Sequence, residues 1–336
     1  MIRAAIVGIG RWGRTLVSAA QGKSPAFRFT AGQTRTRGKA EAFCAEHGIA
    51  LKDSLDEILA DPAVDAVVFA TPHSEHAMQV ERAAAAGKHV FMEKPFTLDR
   101  ASAARALDAV ARAGVVLAVA YPRRFHPGMR ELKARIDDGR LGTIAHCAAE
   151  QNGPAGLFMD PASWRAEANE APAGGMTAMG VHNLDAMIHL FGRIDEVYAT
   201  SLRRAVAYDA EDTTSIMFSF ASGMPATLLS SLVTAVTYRF AVFGTKGCAE
   251  LLTPEFDFRF SPVPSGPPTG RNVAAEPEII HHRGFNGILA ELEAFAGAIR
   301  GDEPYPIPAG EVLHGVAAFE AIIRSAASHR PVKVAD

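Results

Sequence analysis

A short glycine motif near the start of the chain has the spacing of a dinucleotide-binding turn. Gly8, Gly10 and Gly13 form a G-x-G-x-x-G pattern directly after the apolar run Ile2–Val7 and before a helical stretch. The first glycine permits a tight bend, the second lets the backbone approach a pyrophosphate, and the third allows close helix–strand packing. The helix N-terminus also offers free N–H groups to phosphates. We therefore predict a dinucleotide site rather than a chance glycine-rich turn, with contacts from Gly8, Gly10, Arg11, Trp12 and Gly13.

The end of the second apolar run distinguishes NAD from NADP. Enzymes that use NAD usually place an acidic residue there to hold the ribose hydroxyls. Here Thr34 and Arg35 occupy that position, and no acidic residue occurs between Ala31 and Glu41. A hydroxyl and a guanidinium suit the 2′-phosphate of NADP, which arginine can bind through two hydrogen bonds. The segment favours NADP, with NAD as the alternative cofactor and an ordinary basic loop as the alternative interpretation.

A lysine at the end of another apolar run is a candidate catalytic group. Lys94 stands in Glu93-Lys94-Pro95, directly after His89–Met92. Ligands bind at the carboxyl ends of the strands in parallel sheets. The following proline restrains the lysine and is compatible with a cis peptide bond. Taken alone, the pattern also fits a surface lysine at a turn.

The elements that position these residues alternate between short apolar runs and helical stretches. The predicted strands are Ile2–Val7, Phe27–Ala31, Ala66–Ala70, His89–Met92 and Val115–Tyr121. The predicted helices include one that starts at the capping box Ser54–Glu57, one over Glu75–Ala86 and one over Ala101–Ala113. Fully apolar strands that alternate with helices are typical of a parallel sheet covered on both faces. We predict an α/β Rossmann fold, a doubly wound parallel sheet, for residues 1–121.

Residues 122–336 predict an α+β domain with a large, open-faced, mostly antiparallel sheet. Thr213–Phe220 and Ala226–Leu232 flank the turn pair Ser222-Gly223, as strands of a hairpin do. Arg239–Phe243 and Ala249–Leu252 flank a second glycine-containing turn. The other predicted elements are a helix over Pro127–Asp138, a long loop over Pro254–Pro277, and helices over Phe285–Arg300 and Gly310–Ser328. These last helices are free to pack back on the first domain.

One face of such a sheet can pack on a partner. Alternation places Ile216, Phe218 and Phe220 on one side of a strand, and it places Leu228, Ser230 and Leu232 on one side of the next. A monomer rarely leaves so much apolar sheet in water. We therefore expect these sides to be exposed and to form a homodimer or a homotetramer.

The composition restricts the class of protein. The chain has 336 residues, a net charge of −3 and 48% hydrophobic residues, which fits two packed domains. The charge distribution shows no broad basic patch that would indicate nucleic-acid binding. No apolar run approaches the roughly 18 residues that cross a membrane. No signal-peptide pattern is visible. The three cysteines form no CxxC pair; they are Cys44, Cys147 and Cys248. His73 and His76 lie at a predicted strand–helix junction, and we expect no metal site. We predict a cytoplasmic enzyme with a small-molecule substrate.

Several short motifs follow one another across nearly the whole chain. They are Gly8–Gly13, Ala70-Thr71-Pro72 with His76, Gly87–Val90 leading into Glu93-Lys94-Pro95, Arg124–Pro127, Trp164-Arg165, Gly174-Gly175 with Gly180-Val181-His182, and Gly244–Gly247. In this order they resemble the glucose-fructose oxidoreductase / inositol dehydrogenase / MocA family. The resemblance implies a nicotinamide-binding Rossmann domain followed by an open-faced sheet domain.

The resemblance also implies the roles of individual residues. Lys94 would be the catalytic lysine and His182 the catalytic histidine, since an ammonium stabilises a developing oxyanion and an imidazole carries a proton. The further cofactor-side residues are Thr71, Pro72, His76, Glu93, Lys94 and Pro95. The substrate-side residues are Lys94, Arg124, Trp164, His182 and Asp185.

One position departs from the family pattern. The family usually carries an aspartate four residues before the histidine, where this chain has Ala178. Asp185, one helical turn after His182, is a possible replacement or a structural helix residue. Arg124 could anchor an acidic substrate or pair with a carboxylate. Without the aspartate, we expect His182 to be less basic and the pocket to tolerate an acidic or apolar substrate.

Together these features predict an NADP-preferring dehydrogenase or reductase. Its substrate would be a small polyol, sugar, cyclitol or related hydroxy or keto compound. Two alternatives from other classes stay open: a non-catalytic NADP-binding regulatory protein, and a glycoside hydrolase of the same family that uses nicotinamide transiently.

Overall fold

The chain forms two compact units. The computed structural model describes residues 1–253, 256–264 and 275–335. The first unit contains Met1–Pro122 and Asn286–Val316, and the second contains Arg123–Phe285 and Ala317–Asp336. The first unit thus includes a segment from the C-terminal part of the chain.

The strands and helices follow one another in a mixed order. The strands are β1 (Ile2–Val7), β2 (Phe27–Gln33), β3 (Ala50–Leu51), β4 (Ala66–Phe69), β5 (His89–Met92), β6 (Leu117–Val119), β7 (Ile144–Asn152), β8 (Ile194–Leu202), β9 (Thr213–Phe220), β10 (Pro225–Ser231), β11 (Thr237–Gly244), β12 (Gly247–Leu252), β13 (Asp257–Pro262), β14 (Glu278–Ile280) and β15 (Val332–Lys333). The α-helices are α1 (Arg11–Ala20), α2 (Glu41–Glu46), α3 (Leu55–Ala60), α4 (His76–Ala85), α5 (Arg100–Ala113), α6 (Pro127–Asp137), α7 (Val181–Phe191), α8 (Gly287–Arg300) and α9 (Ala309–Ser328).

The sheet of the first unit is the predicted Rossmann sheet. Its six strands lie in the order β3-β2-β1-β4-β5-β6 and pair in parallel. This order is the one of doubly wound dinucleotide-binding folds. The apolar runs form its buried centre, and every residue of β4 is buried. The last strand is shorter than the predicted Val115–Tyr121 because it pairs only with β5, which has four residues.

Helix ends in this unit follow local side-chain chemistry. Ser54 caps α3, since its hydroxyl accepts a hydrogen bond from the Glu57 N–H at 3.2 Å. The Glu57 carboxylate accepts from the N–H of Asp53 at 3.2 Å, one residue earlier than a standard capping box places it. Gly114 ends α5 in the left-handed conformation, with φ of 66°.

The second unit contains a nine-stranded sheet in the order β14-β13-β12-β11-β7-β10-β9-β8-β15. β7 and β10 pair in parallel, and the other described neighbours are antiparallel. The predicted hairpin of β9 and β10 is confirmed. The predicted loop Pro254–Pro277 is wrong in part, because β13 lies within it and pairs with β12 through Phe258 and its neighbours. Residues 254–255 and 265–274 of that loop lie outside the described residues.

The predicted exposed face of this sheet is the covered one. Ile216, Phe218, Phe220 and Leu228 are buried within the chain, and so are Ser230 and Leu232. The Ser230 hydroxyl donates to the carbonyl oxygen of Gly175 at 2.7 Å, so the segment before α7 lies on this face. The opposite side of β9 carries the exposed residues Ser215, Met217 and Ser219. Alternation correctly grouped the residues by side but could not tell which side other elements cover.

Within these described ranges, no helix combines the length and apolar character needed to cross a lipid bilayer.

Candidate functional site

The glycine turn of the first unit leaves room for a phosphate. Gly8 has φ of 93°, and a Cβ there would overlap the carbonyl oxygen of Ala70. A Cβ at Gly13 would overlap the carbonyl oxygen of Gly8, so both positions require glycine. A Cβ at Gly10 would meet no atom within 4 Å. The turn therefore packs tightly on one side and is open above Gly10.

The helix that follows the turn has the character of an anion-binding N-terminus. α1 begins after Gly10, with no side-chain cap and no acidic residue in its first turn. The first N–H groups of such a helix lack intrahelical acceptors, and its dipole favours negative charge. A pyrophosphate is therefore a suitable ligand for this end of α1.

A hydrogen bond joins the glycine turn to the lysine segment. Trp12 Nε1 donates to Glu93 Oε1 at 2.5 Å. The Glu93 side chain is buried, and its Oε2 lies 3.3 Å from the backbone nitrogen of Lys94. The Lys94–Pro95 peptide bond is cis, and Lys94 itself is half-buried at the end of β5. Two motifs whose bonded residues are 81 positions apart in the sequence are thus parts of one structure.

His76 connects the segment after Lys94 to the segment after β4. It is completely buried at the start of α4. Its Nδ1 lies 2.9 Å from the carbonyl oxygen of Pro95, and its Nε2 lies 3.3 Å from that of Thr71. Thr71 is also held by its hydroxyl, which donates to Gln79 Oε1 at 2.6 Å. The buried ring of His76 therefore holds the two loops in place, and its assignment to the cofactor side stays a prediction.

The end of β2 carries cations and no carboxylate. Gly8 N–H donates to the carbonyl oxygen of Gln33 at 2.9 Å, so Thr34 and Arg35 follow directly beside the glycine turn. Arg35 is exposed and makes no ion pair or hydrogen bond with any residue that the structure describes. Arg37 differs, because its side chain contacts the carboxylates of Asp53 and Glu41.

In the second unit, a π-helical segment positions His182. This segment, Met176–Gly180, continues directly into α7, and His182 lies in the first turn of that helix. It starts after Gly174 and Gly175, where a Cβ would overlap the backbone carbonyls of Glu211 and Ser230 respectively. π-helical turns are rare and often occur at functional sites. Ala178 lies within the segment and is partly exposed.

The two predicted substrate residues Arg124 and Asp185 bind each other. Arg124 Nη2 lies 2.6 Å from Asp185 Oδ1, and its Nε lies 2.9 Å from Oδ2. Both side chains are buried, and Arg124 Nη1 also lies 3.3 Å from His189 Nδ1. Of the two interpretations of Arg124, the geometry favours the pair with a carboxylate. Trp164 lies in the short 3₁₀ turn Trp164–Ala166, with the Arg165 guanidinium 4.0 Å from its ring centroid.

Arg123, the residue before Arg124, is a candidate that the sequence pattern did not indicate. Arg123 is buried, and its guanidinium donates to the side-chain oxygens of Asn183 and Gln151. It also lies over the rings of Tyr238 and Phe256, with its Cζ 4.7 Å and 5.6 Å from their centroids. The pair of arginines was the only signal in the sequence, and nothing local distinguishes the first from the second.

In the described part of the chain, no group of three or more histidine, cysteine, aspartate or glutamate side chains could hold a metal ion.

The chain matches two family profiles in sequence. The profile described as "Oxidoreductase family, NAD-binding Rossmann fold" matches residues 2–121, and the profile described as "GFO/IDH/MocA C-terminal domain" matches residues 129–250. The parallel sheet, the glycine turn and the first match define an NAD-binding Rossmann oxidoreductase. Both matches together show that the chain belongs to the Gfo/Idh/MocA family, as its motifs indicated.

Individual relatives agree with this assignment. The chain is 28% identical over 345 residues to inositol 2-dehydrogenase of Rhizobium meliloti (strain 1021), covering 99% of both proteins. It is 31% identical over 303 residues to an uncharacterized oxidoreductase of Rhizobium meliloti, covering 87% of both. Its fold is similar to that of aldose-aldose oxidoreductase from Caulobacter crescentus, with a TM-score of 0.84, 26% identity and 99% coverage of both chains.

Proposed function

We propose that this oxidoreductase is an NADP-preferring dehydrogenase or reductase of a small hydroxy or keto compound. It would transfer a hydride to or from a carbinol or carbonyl carbon. The observation that carries the proposal is the hydrogen bond from Trp12 to Glu93, because it joins the glycine turn to the Lys94 segment within one unit. When bound, the nicotinamide supplies the hydride donor or acceptor.

The cofactor assignment rests on two features of the first unit: the glycine turn after β1 and the residues that follow β2. The N–H groups at the start of α1 would hold the pyrophosphate, and the open space at Gly10 suits its close approach. Thr34 and the exposed Arg35 would hold the adenosine 2′-phosphate. Arg35 supports NADP over NAD because it has no carboxylate partner among the described residues that would compete with a phosphate.

Two side chains are assigned to the proton and charge chemistry. The Lys94 ammonium would stabilise negative charge that develops on the substrate oxygen. The His182 imidazole would give or take the proton of that oxygen, a contribution typically worth about 100- to 10,000-fold in rate. Asp185 is less suited to orient His182, because Arg124 occupies its carboxylate.

The substrate class follows from the relatives and from one departure. The names of two relatives describe an inositol dehydrogenase and an aldose oxidoreductase, which supports a polyol, sugar or cyclitol skeleton. Ala178 replaces the usual acidic residue, and this observation keeps a non-catalytic NADP-binding regulator as the second candidate.

We also propose a cytoplasmic homo-oligomer. The three cysteines form no disulfide, which suits a reducing compartment. The side of β9 that carries Met217 is exposed, and it supports pairing with a second copy.

The test combines turnover with cofactor binding. Purified protein would be incubated with NADP and a panel of polyols, aldoses and cyclitols while NADPH formation is followed. Lys94→Ala and His182→Ala should each lower kcat/KM at least about 100-fold and leave NADP affinity within a few-fold. Lys23→Ala is the control, since Lys23 is a surface lysine that bonds only to the Ser18 carbonyl among the described residues.

The results separate the two candidates. Tight NADP binding with no turnover in either direction would contradict the proposal and favour the regulator. Near-full activity of His182→Ala over the whole pH range would show that His182 is structural and that another group carries the proton.

A further inference from the structure

Three buried arginines of the second unit differ in what compensates their charge. Arg124 is paired with Asp185, and Arg135 donates to Glu131 at 2.6 Å and to Glu278 at 2.7 Å. Arg123 is equally buried, at 7% exposure, but within the described ranges its partners are all neutral. Burying a charge without a counter-charge is costly, so this difference requires an explanation.

The partners of Arg123 leave part of its guanidinium unused. An arginine has five N–H donors and does not lose its proton in proteins. Two of these donors bond to the amide oxygens of Asn183 and Gln151, and the ring of Tyr238 covers one face. The other donors have no acceptor in the part of the chain that the structure describes.

The carboxylate of Asp185 acts on Arg123 without bonding to it in any described contact. Asp185 raises the pKa of the Arg123 guanidinium through space, but the oxygens of Asp185 bond to Arg124. Among its described hydrogen-bond partners, Arg123 therefore has no carboxylate of its own. Burial is the largest influence on Arg123 and lowers its pKa.

Two neighbouring side chains add donors. Asn183 Oδ1 accepts from Arg123, and its Nδ2 is buried with no hydrogen-bond partner among the described residues. The Tyr238 hydroxyl is likewise buried with no described partner. Burial raises the pKa of Tyr238 to about 12, so the hydroxyl keeps its proton at neutral pH. Buried polar groups almost always have a hydrogen-bond partner. Arg123, Asn183 and Tyr238 each have a hydrogen-bond donor without a described acceptor.

We propose that Arg123, Asn183 and Tyr238 bind a carboxylate group of the substrate. The inference rests on the proposed function and narrows its substrate to a small hydroxy or keto acid. A carboxylate offers two coplanar acceptor oxygens, which match the fork of a guanidinium. Its negative charge would supply the counter-charge that the hydrogen-bond partners of Arg123 in the described residues do not provide.

The position of the three residues agrees with this role. Asn183 follows His182 in the first turn of α7, so a carboxylate there would lie beside the residue assigned to proton transfer. Ala178, in the π-helical segment that leads into α7, contributes no negative charge. An aspartate at that position would place a second anion on the same segment and repel an acidic substrate.

A first experiment compares stability without substrate. If Arg123 is kept for a ligand, Arg123→Met removes an uncompensated buried cation, and the unfolding temperature of the full-length protein should stay the same or rise. Arg135→Met is the matched control, since it separates two carboxylates from their partner and should lower the unfolding temperature. A clear loss in Arg123→Met alone would identify Arg123 as a structural residue and overturn the proposal.

A second experiment measures acid preference in the NADP-bound protein. The probes are matched pairs that differ by one carboxylate: D-glucuronate with D-glucose, D-gluconate with D-sorbitol, and D-glycerate with glycerol. The affinity of each compound is obtained from the way in which the unfolding temperature rises with its concentration. At least one acid should bind the wild type about 10-fold or more tighter than its neutral partner, and Arg123→Met should reduce this ratio about 10- to 100-fold.

Tyr238→Phe keeps the proposal testable if Arg123→Met does not fold. It removes a hydroxyl that has no described partner, so the fold should tolerate it, and the acid preference should fall about 10-fold. An unchanged ratio in Tyr238→Phe, or a wild type that prefers no acid over its neutral partner, would overturn the proposal.

Turnover separates this inference from the proposed function. Acids that bind through Arg123 without any NADPH formation would leave the carboxylate site in place and contradict the dehydrogenase assignment. Oxidation of neutral polyols without any preference for acids would support the dehydrogenase and remove the carboxylate site.

Discussion

The Arg124 guanidinium and the Asp185 carboxylate form a buried pair joined by two short hydrogen bonds, at 2.6 Å and 2.9 Å. Arg124 lies in the 3₁₀ turn Pro122–Phe125, and Asp185 lies on α7. The pair therefore anchors the first turn of the second unit to the helix that carries His182. Its position makes it a determinant of stability.

Removing one member of this pair should be strongly destabilising. Asp185→Asn removes the carboxylate that Arg124 contacts in this buried pair, and breaking such a pair typically costs about 3–5 kcal/mol. Urea unfolding of the full-length protein, followed by its far-ultraviolet circular dichroism signal, measures the change in the free energy of unfolding. Asp195→Asn breaks the exposed pair with Lys333 and should have no measurable effect. Equal losses in the two variants would show that burial does not set the value of the Arg124 pair.

The choice between NADP and NAD should depend on Arg35. Arg35→Ala removes a charge-assisted hydrogen bond to the 2′-phosphate, so the affinity for NADP should fall about 10- to 100-fold while that for NAD stays unchanged. Isothermal titration with both cofactors measures this. Arg28→Ala is the control, because Arg28 is an exposed arginine at the opposite end of the same strand. A wild type that binds NAD more tightly than NADP would contradict the assignment.

His126 should make the second unit sensitive to acid. The pKa of its ring is lowered from 6.5 to about 4, chiefly by burial and also by nearby His282, while Asp257 acts in the opposite direction. Between pH 6.5 and pH 4 the unfolded chain therefore holds this proton more tightly than the folded chain, so stability falls as the pH decreases through that window.

The variant His126→Asn tests this pH dependence. The His126 Nδ1 accepts from the Gly128 N–H at 3.1 Å as the cap of α6, and asparagine can keep that cap without titrating. The urea midpoint should fall less between pH 7 and pH 4.5 in the variant than in the wild type. Parallel curves for both proteins would exclude a contribution from His126.

The exposed side of the second sheet should form the contact between copies. Met217 is 62% exposed and lies opposite Tyr198, which is 38% exposed on the neighbouring strand. Met217→Glu places a charge in that contact and should shift the protein to monomers in light scattering at micromolar concentration. Met78→Glu, at an exposed methionine of the first unit, should leave the assembly unchanged. A monomeric wild type would remove the assembly proposal.

Much of the fold could be predicted because its signals are local. The bounds of β1 and β5 agree with the apolar runs, and Gly114 ends its helix as expected. The glycine turn was recognisable because backbone conformation and close packing require glycine at Gly8 and Gly13. β13 was missed because its residues lie in a stretch rich in proline and glycine, where pairing with β12 decides the conformation.

The sequence by itself determined the strands and main helices of the first unit, which residues share one side of a strand, and which motifs follow the strands of the first sheet. Tertiary structure decided which side of β9 is covered. It also buried His76 against the carbonyl groups of Thr71 and Pro95. It also gave two adjacent arginines different partners: Arg124 received the carboxylate of Asp185, and Arg123 received amides and aromatic rings. Periodicity and turn chemistry act within a few residues, whereas burial and counter-charge depend on segments that are distant in the sequence, which the local pattern does not encode.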